Sequence, residues 1–144
     1  MRSPTELEAQ FRAQGRKITP QRQLIFRILS HNHTHPTAEA VHAEALTAMP
    51  NLSLRTVYST LHELAELGEL ELLDLGTGAT RFDPNVEPHH HLVCRRCGQV
   101  RDLTTGVNEP HIPAGLQRSF TVDDVEITFR GVCADCAAHT ATAG

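Results

Sequence analysis

Four cysteines and a set of histidines and aspartates are the residues of this chain whose types and spacing could do chemistry. Cys94 and Cys97 enclose two residues, Cys133 and Cys136 enclose two more, and 35 residues separate the pairs. Zn²⁺ takes four soft ligands in a tetrahedron, and two Cys-x-x-Cys turns supply one pair each from two strand ends. Such a site is closed to substrate and anchors the chain rather than reacting. A redox use of one pair expects a βαβ context, which the sequence lacks. A zinc deaminase needs a Pro-Cys-x-x-Cys, and here Val93 and Val132 precede the two pairs.

The run His89-His90-His91 lies just before Cys94. On a strand, His89 and His91 face one side and His90 the other. Two imidazoles on one face make half a site for a borderline divalent ion, which also accepts carboxylates. Asp83, Asp102 and His35 are the candidate partners. Each has a plainer alternative: Asp83 as a turn residue before Pro84, Asp102 as a solvated strand end, His35 as a loop residue. Spacing alone does not choose between these.

The elements that must position these residues are punctuated clearly. Leu7 and Phe11 mark an amphipathic helix ended by Gly15. Thr19-Pro20 starts a second helix, with Thr as N-cap and Pro at the first helical position. Thr37 caps a third, which carries Val41, Ala45 and Leu46, and Pro36 keeps His35 out of helical geometry. Ser53 caps a fourth with Val57, Leu61, Leu64 and Leu67, closed by Gly68. Leu70–Leu73 and Arg81–Asp83 flank Gly76-Thr77-Gly78 as a hairpin. Helices followed by a hairpin are the winged-helix plan. Residues 1–84 therefore read as one domain, 85–88 as a proline-flanked hinge and 89–144 as a second domain. In the second, His91–Val93, Val100–Leu103 and Val122–Val132 read as strands. Pro110 and Pro113 interrupt the stretch 104–120, and the tail after Cys136 reads as frayed. The fold class is α+β.

The bulk numbers set limits. With 144 residues, two small domains would need help from a metal or a partner chain. The net charge of -4 argues against a nucleic-acid partner. However, residues 1–60 hold Arg2, Arg12, Arg16, Lys17, Arg22, Arg27 and Arg55 against only Glu6, Glu8, Glu39 and Glu44. The start MRSPTELEAQ lacks the apolar core of a signal peptide, and no stretch is long enough for a membrane span, so a cytoplasmic protein is expected. The Ser53 helix is the candidate reader of DNA: Ser53, Arg55, Thr56, Tyr58 and Ser59 lie on its first turns, with Arg55 suited to guanine and Tyr58 to phosphate or a thymine methyl. Arg16, Lys17 and Arg22 would serve phosphates, and the plain alternative is that Tyr58 packs on a neighbouring helix. Tight binding would require a homodimer on a two-fold-related site of double-stranded DNA, with steep salt dependence.

The segments Ile18-Thr19-Pro20-Gln21-Arg22, His35-Pro36-Thr37-Ala38, Thr56-Val57-Tyr58, His89–Gly98 with its Cys-x-x-Cys, and Gly131–Cys136 with the second resemble the ferric-uptake-regulator family, in the order that family shows them. The resemblance covers roughly residues 5–137. It implies a winged helix hinged to an α/β dimerisation domain, structural Zn²⁺ on Cys94, Cys97, Cys133 and Cys136, and a regulatory Fe²⁺ or Mn²⁺ on His35, Asp83, His89, His91 and Asp102. One ion on that set would tie the two halves together and fix the angle between DNA-binding domains. It also implies an operator-binding repressor recognising an AT-rich palindrome. Asp at both carboxylate positions resembles the peroxide-sensing branch, in which an iron-driven oxidation of His35 or His89 would release DNA. The alternatives are a repressor reporting iron, zinc or nickel occupancy, a metal-dependent hydrolase built on His89 and His91, and a zinc-stabilised interaction module. Two departures stand out: Val125 occupies the place where many members carry a further metal-binding His, and 104–120 lacks their long helix.

Overall fold

The computed structural model describes residues 1–142 and divides into two compact units, Met1–Val86 and Glu87–Gly144. The boundary falls within the proline-flanked segment 85–88.

In the first unit, α1 (Pro4–Ala13), α2 (Pro20–Leu29), α3 (Ala38–Leu46) and α4 (Leu54–Glu66) precede the strands β1 (Glu71–Leu73) and β2 (Arg81–Asp83). Each helix begins where a hydroxyl accepts a hydrogen bond from a backbone N–H that the helix leaves unpaired. Ser3 does so for Glu6, Thr19 for Arg22, Thr37 for Ala40 and Ser53 for Thr56. At Ser3 the Glu6 carboxylate accepts in turn from the cap's own N–H, a reciprocal pair that the sequence reading overlooked. Gly15 and Gly68 end α1 and α4 at φ +70° and +74°, a left-handed turn that costs an L side chain about 1–2 kcal/mol. The apolar faces meet in one core around Phe11, Phe26, Ile25, Val57, Leu61 and Phe82. The Phe11 and Phe26 rings pack edge to face at 5.1 Å. The wing is an antiparallel hairpin with Leu72 opposite Phe82; Phe82 is buried in the core while Leu72 is exposed.

The second unit holds β3 (His90–Cys94), β4 (Val100–Leu103), a short α5 (Ala114–Gln117), β5 (Thr128–Gly131) and α6 (Ala134–Thr142). Its sheet runs β4-β3-β5, with β3–β4 antiparallel and β3–β5 parallel. Two sequence expectations are corrected. The strand expected over Val122–Val132 is only Thr128–Gly131, because its pairing partner β3 is five residues long. The tail expected to fray is helical from Ala134 to Thr142, as its Ala-rich composition favours; the last two residues of that tail lie outside the described residues. The apolar interior here is small: Val93, Cys94 and Val100 are buried, while Leu116, Phe120, Phe129 and Val132 are exposed. Among the described residues, no helix is long and apolar enough to cross a membrane.

Removing a fully buried ring leaves a void that a close-packed core fills poorly. Phe26→Ala is expected to destabilise the first unit by about 3–5 kcal/mol in urea unfolding followed by far-ultraviolet circular dichroism, with zinc content unchanged.

Candidate metal centres and nucleic-acid face

The four thiols converge. Cys94 ends β3 and Cys97 comes next in a knuckle closed by the Gly98 N–H donating to the Cys94 carbonyl at 3.0 Å, with Gly98 at φ +73°. Cys133 lies just past β5, after Val132, and Cys136 sits in the first turn of α6. Parallel pairing of Cys94 with Gly131 brings the two turns side by side. All four sulfurs lie within 4.8 Å of one another, and Cys97 Sγ is 3.8 Å from Cys133 Sγ. A tetrahedron with Zn–S bonds of about 2.3 Å has edges of about 3.8 Å, whereas a disulfide would need about 2.05 Å. The thiols are unoxidised and fit zinc. Backbone N–H groups of Cys97 and then Cys133 point at Cys94 and lower its pKa to about 6. Cys136 is pushed up to about 12, first by its hydrogen bond with the Cys133 sulfur and then by burial.

The histidine and aspartate residues form a group in each unit. In the first, His35 Nε2 lies 3.2 Å from Asp83 Oδ2. His35 sits at φ +53°, a conformation that a non-glycine residue keeps only when its surroundings impose it. Three contacts do so. The Arg81 guanidinium donates to the His35 carbonyl at 3.1 Å, the Phe82 N–H donates to the Pro36 carbonyl at 2.9 Å, and Thr37 bridges to Arg81. Asp83 is fixed in turn by the Asn85 N–H, which donates to its Oδ1 at 2.9 Å. The wing strand therefore delivers Asp83 and clamps the loop that carries His35.

In the second unit, Asp102 lies directly across from His91 in the β3–β4 register. Its Oδ1 is 3.1 Å from His89 Nε2 and 3.7 Å from His91 Nε2, and the two rings are 4.6 Å apart. Strand alternation turns His90 to the other face, where its Nδ1 accepts from the Ile127 N–H at 3.0 Å and its Nε2 lies 3.5 Å from Glu109. Two imidazoles sharing one carboxylate suit Fe²⁺, Mn²⁺ or Zn²⁺. Sequence reasoning missed Glu109 and Glu126, which reach the histidines only through folding.

On α4, Arg55, Tyr58 and Ser59 share one exposed face, and His62 extends it by stacking on Tyr58 at 6.3 Å. His62 was missed, although its spacing of four from Tyr58 was available in the sequence. Ser53 and Thr56 are occupied as the cap, their hydroxyls 2.9 Å apart. The Tyr58 hydroxyl donates to Glu39 at 2.8 Å, which lowers the carboxyl pKa and raises that of the phenol. Of the three cations expected at phosphates, Lys17 is exposed, whereas both Arg22 Nη2–Glu63 distances are 2.8 Å and Arg16 Nη1 lies 3.9 Å from Glu63.

Residues 13–130 match the model of the ferric uptake regulator family. A peroxide-responsive repressor, PerR, of Staphylococcus aureus is 36% identical over 129 residues, 89% of this chain and 87% of the relative. The Helicobacter pylori ferric uptake regulator Fur, described with three functional metal-binding sites, superposes with a TM-score of 0.75 at 19% identity, covering 92% of this chain and 90% of that one. The Campylobacter jejuni peroxide stress regulator gives a TM-score of 0.63 at 25% identity, covering 94% and 100%.

Zinc requires four thiolates, so between the two displaced pKa values at least the Cys136 proton must leave on binding. The zinc affinity of the metal-stripped protein, measured by chelator competition, is expected to rise by about tenfold per pH unit for each proton displaced, and to fall correspondingly in acid.

Proposed function

Since this chain belongs to the ferric uptake regulator family, whose members are metal-sensing regulators, we propose that it is a DNA-binding repressor that senses peroxide by oxidation of a metal-liganding histidine. The observation that carries this reading is that the carboxylates facing the Nε2 atoms of His35, His89 and His91 are aspartates, Asp83 with His35 and Asp102 with His89 and His91. One ion drawing on all five would tie the winged helix to the second domain, with 85–88 as the hinge. The named relatives are regulators rather than hydrolases.

Fe²⁺, when bound, supplies the redox chemistry by which hydrogen peroxide oxidises a neighbouring ring. The net change balances: an imidazole C–H of His35 or His89 becomes C–OH, one water is released, and two electrons pass from the ring to the peroxide. The chain's own residues set the response. Arg81 holds the His35 carbonyl, so that ring stays beside Asp83. An oxidised ring is a poorer lone-pair donor, so the five-ligand set loosens and the DNA-binding domains lose their fixed angle. Arg55, Tyr58, Ser59 and His62 form the face offered to the major groove, with Lys17 at phosphate. The exposed Leu116, Phe120, Phe129 and Val132 offer apolar surface for a second copy, and the reduced thiols accord with the cytoplasm.

The test loads zinc-containing protein anaerobically with Fe²⁺ or Mn²⁺, adds limited hydrogen peroxide, and monitors retention of a random duplex pool together with peptide masses. Only the iron form should release DNA and gain one oxygen on the peptide bearing His35 or His89. Retained DNA with unmodified histidines in both forms would make the protein a reporter of metal occupancy. In the same assay Arg55→Ala should weaken binding to selected duplexes by roughly tenfold or more, as loss of a base contact does.

A further inference from the structure

The zinc-anchored strand brings a carboxylate onto the back of a regulatory histidine. The segment leading into β5 is sewn to β3 on both sides of Ile127. The His91 N–H donates to the Ile127 carbonyl at 3.0 Å, and the Ile127 N–H donates to His90 Nδ1 at 3.0 Å. These bonds fix the backbone next to Glu126, whose Oε1 lies 3.1 Å from His91 Nδ1. The opposite nitrogen, His91 Nε2, faces Asp102. Glu126 therefore touches the ring on the side away from the carboxylate that His91 shares with His89.

We propose that Glu126 is a positioning residue for the regulatory metal: its carboxylate accepts the Nδ1–H of His91, fixes the ring's tautomer and presents the Nε2 lone pair to the ion. A neutral imidazole has one N–H and one lone pair, and an acceptor at one nitrogen decides which is which. A carboxylate there also makes the ring a stronger donor and stops it rotating; loss of such partners costs about 10–100-fold in metal affinity. The same geometry gives the cysteine site a second consequence. Gly131 pairs with Cys94 and leads directly into the Cys133 turn, so zinc that holds the end of β5 also holds Glu126 in register with His91.

The inference rests on the regulatory site proposed above, and the experiment separates the two. Long-range ¹⁵N–¹H spectra of zinc-containing protein without regulatory metal report the His91 tautomer, and Mn²⁺ titration monitored by electron paramagnetic resonance reports affinity. The wild type should carry its His91 proton on Nδ1. Glu126→Ala should redistribute that proton and weaken Mn²⁺ by about 10–100-fold, with zinc content and thermal unfolding unchanged. Glu126→Gln, which keeps an acceptor oxygen but no charge, should fall between, and it decides the matter if the alanine variant does not fold. A wild-type His91 protonated on Nε2, or variants binding Mn²⁺ as the wild type does, would overturn the role of Glu126. A wild type that takes up no Mn²⁺ beyond its zinc would overturn the regulatory site itself, while the tautomer would still decide the Glu126 contact.

Discussion

Convergence of four thiols at the ends of two parallel strands is the constraint on which the second domain depends. Parallel neighbours cannot be joined by a tight turn, and β3 and β5 are separated by more than thirty residues with little interior of their own. Val93, Cys94 and Val100 are too small a core to offset the loss of chain entropy in ordering that segment. A tetrathiolate ion closes the loop at one end and fixes the register at the same time, because Cys94 and Gly131 are paired partners. Within the cluster, backbone N–H groups hold the Cys94 thiol low, while its hydrogen bond with Cys133 and burial hold Cys136 high.

The first domain solves a different problem. Its core is sufficient, and its helices are set by local caps, while two histidines, His31 and His35, adopt positive φ. His35 is held there by contacts from the wing strand. Asp83 lies two residues beyond Arg81 on the same strand, so a single short element carries one member of the proposed regulatory set and imposes the backbone of another. On the function proposed above, the wing is thereby part of the regulatory metal site as well as of the DNA-binding fold.

Local features were the legible ones in the sequence. Thr19, Thr37 and Ser53 announce helices because a cap and its partner lie within three residues of each other. Ser3 with Glu6 carried the same signal and went unread. The cysteine pairs were legible because Cys-x-x-Cys encodes its own turn. The parallel placement of β5, the shortness of that strand and the approach of Glu126 to His91 were not legible, since each is fixed by pairing between segments remote in the chain. The helix from Ala134 to Thr142 was hidden by its position after the last cysteine pair begins, although alanine propensity favoured it. The histidine and aspartate candidates were found by type, yet only the register setting His91 across from Asp102 explains why that aspartate is shared.

The contact of one Arg22 nitrogen, Nη2, with both carboxylate oxygens of Glu63 bears on how the protein would ride on DNA. A guanidinium held by a carboxylate at 2.8 Å has little positive field left for a phosphate, and Arg16 is drawn toward the same glutamate. Each phosphate contact adds about 0.9 to the salt exponent of binding to duplex DNA, so two arginines withheld leave a flatter dependence than a tally of basic residues implies. Such a protein would slide poorly on arbitrary sequence, and its residence at an operator would depend more on base and shape contacts than on charge. On the function proposed above, release would need only a change of angle between the readers, with no broad electrostatic grip to undo.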